Sequence, residues 1–173
     1  FDYGYVNPSN NRLMTGGVQE SKELLGAINY VKQTTGGSIY IWGFSMGAGT
    51  ALQTALQQNG DISGMILDST FLLNPDTLYQ NMNQVVHMPK YPSLPLVRLF
   101  FPLLNGVSLH EVPYTKVTTT SYAMPIFMIH GTDDNKAPYS LVEAMFKQQH
   151  NTASKLWILP NAKHELLYRA EPK

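Results

Sequence analysis

The spacing of apolar residues changes period along the chain, from helical to short unbroken runs and back. Between residues 18 and 32, apolar side chains fall at Val18, Leu24, Leu25, Ile28 and Val31 with charges between them. That spacing predicts an amphipathic helix closed by Gly36-Gly37. The run Ile39-Tyr40-Ile41-Trp42 predicts a buried strand, and 48–58 a second helix. Asn59-Gly60-Asp61 predicts a turn, 62–67 a second strand ending at Asp68, 125–129 a third and 155–159 a fourth, with a helix over 139–149. Strands alternating with helices predict an α/β fold, a mostly parallel sheet with helices on both faces. Residues 70–123 break the pattern. They are rich in Pro, Tyr, Met and Asn and carry no long strand signal, which predicts an insertion of short helices and loops lying over the site as a lid or cap. Its most apolar part, 94–104 (LPLVRLFFPLL), is expected to pack that lid onto the core, the alternative being to line an acyl or aromatic pocket.

Composition narrows the field by exclusion. With 173 residues, 43% hydrophobic and 14% charged, the chain supports one domain over 1–173, with the insertion inside it. Twelve basic and twelve acidic residues cancel, with no block of like charge, so nucleic acid and anionic membrane surfaces are not expected partners. The absence of cysteine removes disulfides and thiolate metal sites. No apolar run approaches the roughly 20 residues of a membrane span, and no signal-peptide pattern is present. Localisation is left open between cytoplasm, cell surface and secretion.

The chemistry concentrates at Gly43-Phe44-Ser45-Met46-Gly47, where the first strand gives way to a helix. A serine on so sharp a strand-to-helix turn has strained backbone, and the flanking glycines suit segments that approach too closely for a Cβ. Ser45 then presents its hydroxyl at a helix N-terminus. There the Met46 N–H can donate to a developing oxyanion, favoured by the helix dipole. A serine hydroxyl is a weak nucleophile at neutral pH and needs a base, itself oriented by a carboxylate. The carboxyl ends of later strands are where these belong. After the third strand comes His130-Gly131-Thr132-Asp133-Asp134, and after the fourth comes Asn161-Ala162-Lys163-His164, where a terminal helix is expected to begin. His164 is the base candidate, and His130 is expected to brace the acid loop. His87 and His110 in the insertion and His150 at a helix end are expected at the surface. The acid lies among Asp134, Asp133 and Asp68.

The order Ser45, Asp134, His164, together with the Gly43–Gly47 elbow, resembles the α/β-hydrolase superfamily, and within it the serine esterase-like and prolyl-oligopeptidase-like hydrolases. The resemblance covers nearly the whole chain. Phe1-Asp2-Tyr3-Gly4-Tyr5 is similar to the family segment D-x-R-G-x-G-x-S, without its arginine; Ile66-Leu67-Asp68-Ser69 is similar to the strand end after the elbow helix. His130-Gly131-x-x-Asp134-x-x-Ala137-Pro138 is similar to the family's HGxxDxxVP, which selects Asp134 as catalytic acid and leaves Asp133 a solvated loop carboxylate or turn cap. Asp68 is the second choice, since some hydrolases place the acid there. Ala162-Lys163-His164 matches GxxH with alanine in place of glycine.

The resemblance implies a carboxylic-ester hydrolase acting on a small-molecule ester through an acyl-enzyme, with no metal or organic cofactor. Ser45 is nucleophile, His164 base, Asp134 its orienter and Met46 N–H the oxyanion donor. Peptidases, thioesterases and amidases share this machinery. Relatives such as haloalkane dehalogenases and epoxide hydrolases carry aspartate at the elbow, where this chain has serine. The family fold begins with three further strands and takes its second oxyanion donor from a loop after the third. Without them the strand at 39–42 is a sheet edge and the oxyanion hole has one donor, a loss worth about 100- to 1,000-fold in rate. The resemblance thus implies a C-terminal portion of a longer hydrolase, whose N-terminal segment covers the edge, or a chain whose edge is covered by self-association. The rival from another class is a binding module whose triad is silent for want of that loop.

Overall fold

The short apolar runs form strands and the helical spacings form helices, in strict alternation through the sheet-forming part of the chain. The computed structural model describes residues 1–58, 60–164 and 167. Two 3-10 turns, Gly4–Val6 and Pro8–Asn10, precede helix α1 (Glu20–Thr34), strand β1 (Tyr40–Phe44), α2 (Met46–Ala55) and β2 (Gly64–Asp68). The insertion then contributes α3 (Pro75–Val86), α4 (Lys90–Asn105) and α5 (Tyr114–Thr119), before β3 (Ile126–Gly131), α6 (Tyr139–Phe146) and β4 (Lys155–Leu159). The strands form one parallel sheet in the order β1-β2-β3-β4. Parallel neighbours need crossover connections, which α2, the insertion and α6 supply.

The sheet's two faces differ. Met65, Leu67, Ile126 and Met128 point into the main core, where they meet Ile28 of α1, Ala48, Ala51 and Leu52 of α2, Val117 of α5, and Val142 and Met145 of α6. Full burial of a side chain such as Leu52, Leu67 or Met128 contributes about 1.5–3 kcal/mol. The other face carries Tyr40, Trp42 and Ile66, all exposed, and Phe127 stacked on Trp157 at 6.5 Å between ring centroids. Beside them Ile129, Leu159 and Leu167 form a small cluster. Among the described residues, the helices packed on the sheet cover the first face, so the two-sided cover expected from the alternation is described for one side.

Several boundaries move toward the site. β1 runs on to Phe44 and α2 begins at Met46, leaving Ser45 alone as the turn. β3 extends through His130 and Gly131, which the sequence reading placed in the following loop. The insertion holds helices of 12 and 16 residues, longer than the short ones expected. α3 starts from a capping box in which Asn74 and Thr77 exchange side-chain bonds with each other's backbone N–H. α4 breaks at Tyr91 and continues through Pro95 and Pro102, each of which removes a backbone donor. Of the turn expected at Asn59-Gly60-Asp61, Asn59 lies outside the described residues. So does the terminal helix expected after His164, apart from Leu167. The Phe1–Tyr5 segment forms no strand.

Candidate active site

Three loops meet at the carboxyl end of the sheet, each following a different strand, the position where open parallel sheets bind ligands. The first is the turn at Ser45, with φ 49° and ψ −117°. A left-handed φ on a residue other than glycine costs energy that its surroundings must offset. The offset here is local hydrogen bonding: the Ser45 N–H donates to the Asp68 carbonyl at 2.9 Å, and the Ser45 carbonyl accepts from the N–H groups of Ala48, Gly49 and Phe71. Gly43 is required by contact, since a Cβ there would lie 2.7 Å from Ala48 Cα. At Gly47 such a Cβ would meet open space, so the close approach expected at both flanking glycines holds at the first only. Gly49 is the second crowded position, with the Phe71 carbonyl oxygen 2.2 Å from where its Cβ would stand.

The second loop follows β3. Asp134 is buried, and its Oδ1 accepts the N–H groups of Lys136 and Ala137, both at 2.9 Å. Its Oδ2 lies 2.7 Å from His164 Nδ1 and 3.2 Å from His130 Nε2. Burial alone would raise its pKa, but the bonds from His130, His164 and the Ala137 N–H outweigh it and hold the carboxyl well below the usual carboxylate range. His130, wholly buried, also donates from Nε2 to the Ala137 carbonyl at 2.8 Å, which fixes the proton on that nitrogen. Among the described residues its Nδ1 has no partner. Asp133 is exposed, as are His87, His110 and His150.

The third loop follows β4 and carries His164. Its Nδ1–H donates to Asp134, so Nε2 is free to accept the Ser45 hydroxyl, 2.7 Å away. Two bonds stitch this loop to the acid loop upstream of the histidine: the Asp133 N–H donates to the Ala162 carbonyl at 3.0 Å, and the Asn161 N–H to Thr132 Oγ1 at 2.8 Å. Ser45, Asp134 and His164 therefore come together in one hydrogen-bonded line. Asp68 does not join it: its carboxylate accepts the Leu167 N–H at 3.0 Å instead. The Met46 N–H, at the start of α2, has no acceptor among the described residues and stands one residue from the Ser45 hydroxyl. Among the described residues no group of three His, Asp or Glu side chains is arranged to hold a metal ion.

Sequence reasoning missed the part the insertion plays here. Asn81 and Gln84, three apart on α3, donate their side-chain amides to the carbonyls of Lys136 and Asn135, immediately after Asp134. The i, i+3 spacing of two amide side chains was the only sign in the sequence. A groove of about 540 Å³ runs along the outer side of β1, between the Phe1–Tyr5 segment and α1, and ends at Gly47. None of Ser45, Asp134 and His164 lines it.

A family model described as phospholipase/carboxylesterase matches residues 11–95, a stretch that includes Ser45 and stops short of Asp134 and His164. The uncharacterized protein YqkD of Bacillus subtilis (strain 168) is 28% identical over 171 residues, covering 97% of this chain and 55% of that protein. Among solved structures, an esterase of Pyrococcus furiosus superposes with a TM-score of 0.68 at 21% identity over 93% of this chain and 59% of its own. A monoacylglycerol lipase of Paleococcus ferrophilus gives 0.60 at 14% identity, over 88% and 68%. A thermophilic esterase of Thermogutta terrifontis gives 0.59 at 18%, over 93% and 69%. The chain thus spans little more than half the length of the first two relatives.

Proposed function

We propose that this chain, an α/β-hydrolase by fold, hydrolyses carboxylic esters through Ser45, His164 and Asp134. The observation that carries the reading is the line of two 2.7 Å contacts from Asp134 Oδ2 to His164 Nδ1 and from His164 Nε2 to Ser45 Oγ. In the first half-reaction, Ser45 Oγ attacks the ester carbonyl carbon while His164 Nε2 takes the hydroxyl proton. The resulting oxyanion accepts from the Met46 N–H. Collapse breaks the bond to the alkoxy leaving group, which receives the proton from His164, and an acyl-serine remains. Water then repeats the sequence, giving the carboxylic acid and free Ser45. Asp134, charged and out of solvent, keeps the imidazole in the tautomer that can accept and stabilises the imidazolium as it forms.

That the structural neighbours are named as esterases and a lipase, and the matched family as phospholipase/carboxylesterase, favours an ester over a peptide or thioester substrate. Residues 70–123 act as the lid. The outer side of β1 takes a further strand whose connection supplies the second oxyanion donor. Relatives much longer than their matched part support a strand of the same polypeptide as its source.

Fluorophosphonate labelling followed by peptide mass analysis tests the reading, on this chain and on the protein with any residues encoded before Phe1. Modification of Ser45, abolished in Ser45→Ala, is the expected result, with turnover of short p-nitrophenyl esters falling at least about a thousandfold in that variant. Labelling only in the longer form supports the added strand. No labelling of either folded form sinks the hydrolase and leaves a binding module. Turnover of aminoacyl p-nitroanilides in preference to esters replaces the esterase with a peptidase.

A further inference from the structure

Asp68 stands at the end of β2, fully buried, and touches both reactive halves of the site without touching a reacting atom. Its main-chain carbonyl accepts the Ser45 N–H at 2.9 Å. Its Oδ2 accepts the Leu167 N–H at 3.0 Å, three residues beyond His164, and its Oδ1 accepts the Ser69 hydroxyl at 2.9 Å. Its neighbours add to the hold: the Ser69 N–H donates to the Ile129 carbonyl of β3, and the Phe71 N–H to the Ser45 carbonyl. A carboxylate placed out of solvent is costly unless hydrogen bonds satisfy its oxygens, and bonds to an ionised acceptor are the stronger kind. Asp68 meets that condition by gripping the backbone that follows the histidine.

We propose that Asp68 is a positioning residue for the acyl-transfer reaction, clamping the His164 loop to the Ser45 turn from a point downstream of the histidine. Upstream of His164 the loop is fastened to the acid loop through Ala162 and Asn161; downstream Asp68 fastens it through Leu167. With both anchors His164 is held between fixed points, and its Nε2 stays at 2.7 Å from Ser45 Oγ. With the downstream anchor gone, the ring is fixed on one side only and its distance from the hydroxyl spreads, and misplacement of about 1 Å at a reacting centre costs on the order of 100-fold in rate. Substrate binding does not depend on that distance. The loss therefore falls on the chemical step.

The inference rests on the hydrolase reading for its kinetic part, so the test carries a second readout that does not. Asp68→Ala and Asp68→Asn are compared with the unchanged protein in fluorophosphonate inactivation, resolved into kinact and KI, with circular dichroism to establish folding. Asp68→Ala is expected to lower kinact about 10- to 100-fold with KI unchanged. Asp68→Asn, which keeps an acceptor for the Leu167 N–H, recovers part of the loss; a merely structural role predicts no such recovery at equal stability. The independent readout is the proton NMR signal of His164 Nδ1–H, far downfield through its bond to Asp134, which broadens or vanishes in Asp68→Ala. If Asp68→Ala does not fold, an amide-to-ester replacement at Leu167 removes only the N–H, with the same kinetic loss expected. A folded variant with kinact within twofold of the original, or with an undisturbed His164 signal, overturns the proposal. If the unchanged protein is not labelled at all, the hydrolase reading fails, and the His164 signal alone then judges the clamp.

Discussion

Helices α2 and α4 are both rich in apolar residues, yet they are built into the molecule in opposite ways. Eight of the ten residues of α2, Ala48 to Ala55, are buried. They are small for the most part, so the helix packs closely on its neighbours, to the point that Gly49, against the Phe71 carbonyl of the loop after β2, leaves no room for a methyl group. In α4 only Ser93 and Leu94 are buried among sixteen residues. Val97 and Phe101 pack toward Leu73, Leu109 and Val112, while Leu96, Leu99, Phe100, Leu103 and Leu104 are exposed by 48–75%. These five recur at i, i+3, i+4, i+7 and i+8, a complete helical stripe facing outward. The run 94–104, expected to pack the insertion onto the core, packs with one side only, and against a separate cluster of the insertion's own Leu73, Leu109 and Val112 rather than the sheet core. Apolar content predicts that a segment prefers burial. Residue size, and the space left by neighbours, decides whether it is buried on every side.

The contrast can be broken at its strong end first. Asp134→Asn removes the acceptor that orients His164 and is expected to lower ester turnover by about 10,000-fold with the fold retained, measured against p-nitrophenyl acetate. The same variant changes acid stability. Because the folded state holds the Asp134 carboxyl well below the usual range, its contribution is fully present above the unfolded value of about 3.9 and is lost as pH falls through and below it. Urea midpoints at pH 6 and pH 3 should therefore differ less in Asp134→Asn than in the unchanged protein, and an equal difference would show that Asp134 does not drive acid unfolding.

Next in size is Gly49→Ala, which sets a methyl group against the Phe71 carbonyl. It should lower the unfolding free energy by about 1–3 kcal/mol, read by chemical denaturation. The smallest effect is expected from Leu103→Gln on the outer stripe of α4, within about 0.5 kcal/mol by the same method. A larger loss there would mean that the stripe is covered in solution, and the contrast between the two helices would disappear.

What could be read from the sequence follows the range of the forces involved. The four strands, the turn at Ser45 and the helices on either side of it were legible because their signals are local, an apolar run or a glycine beside a serine. The place of His164 after the last strand was legible from chain order, and that of Asp134 from the resemblance to HGxxDxxVP; the geometry brings His164 to the Ser45 hydroxyl and Asp134 to His164. The grip of Asp68 on the Leu167 N–H was not legible: it joins residues 99 positions apart, and a backbone N–H has no residue-specific signature. For the same reason Gly49 passed as an ordinary helix residue and His130 as part of a loop. Its place in β3 follows from pairing with Ile158 on β4, a contact between strands rather than a property of either.

The chain has only two tryptophans, and they stand on strands at opposite edges of the described sheet. Trp157 on β4 lies stacked against Phe127, and Trp42 on β1, tilted against Phe44, is 53% exposed. Their emission therefore divides into two optical channels. Trp157 reports the integrity of the fold, and Trp42 reports whatever comes to rest beside β1. A blue shift that survives Trp157→Phe and vanishes in Trp42→Phe would mark the arrival of a neighbouring strand in real time, with no label added to the molecule.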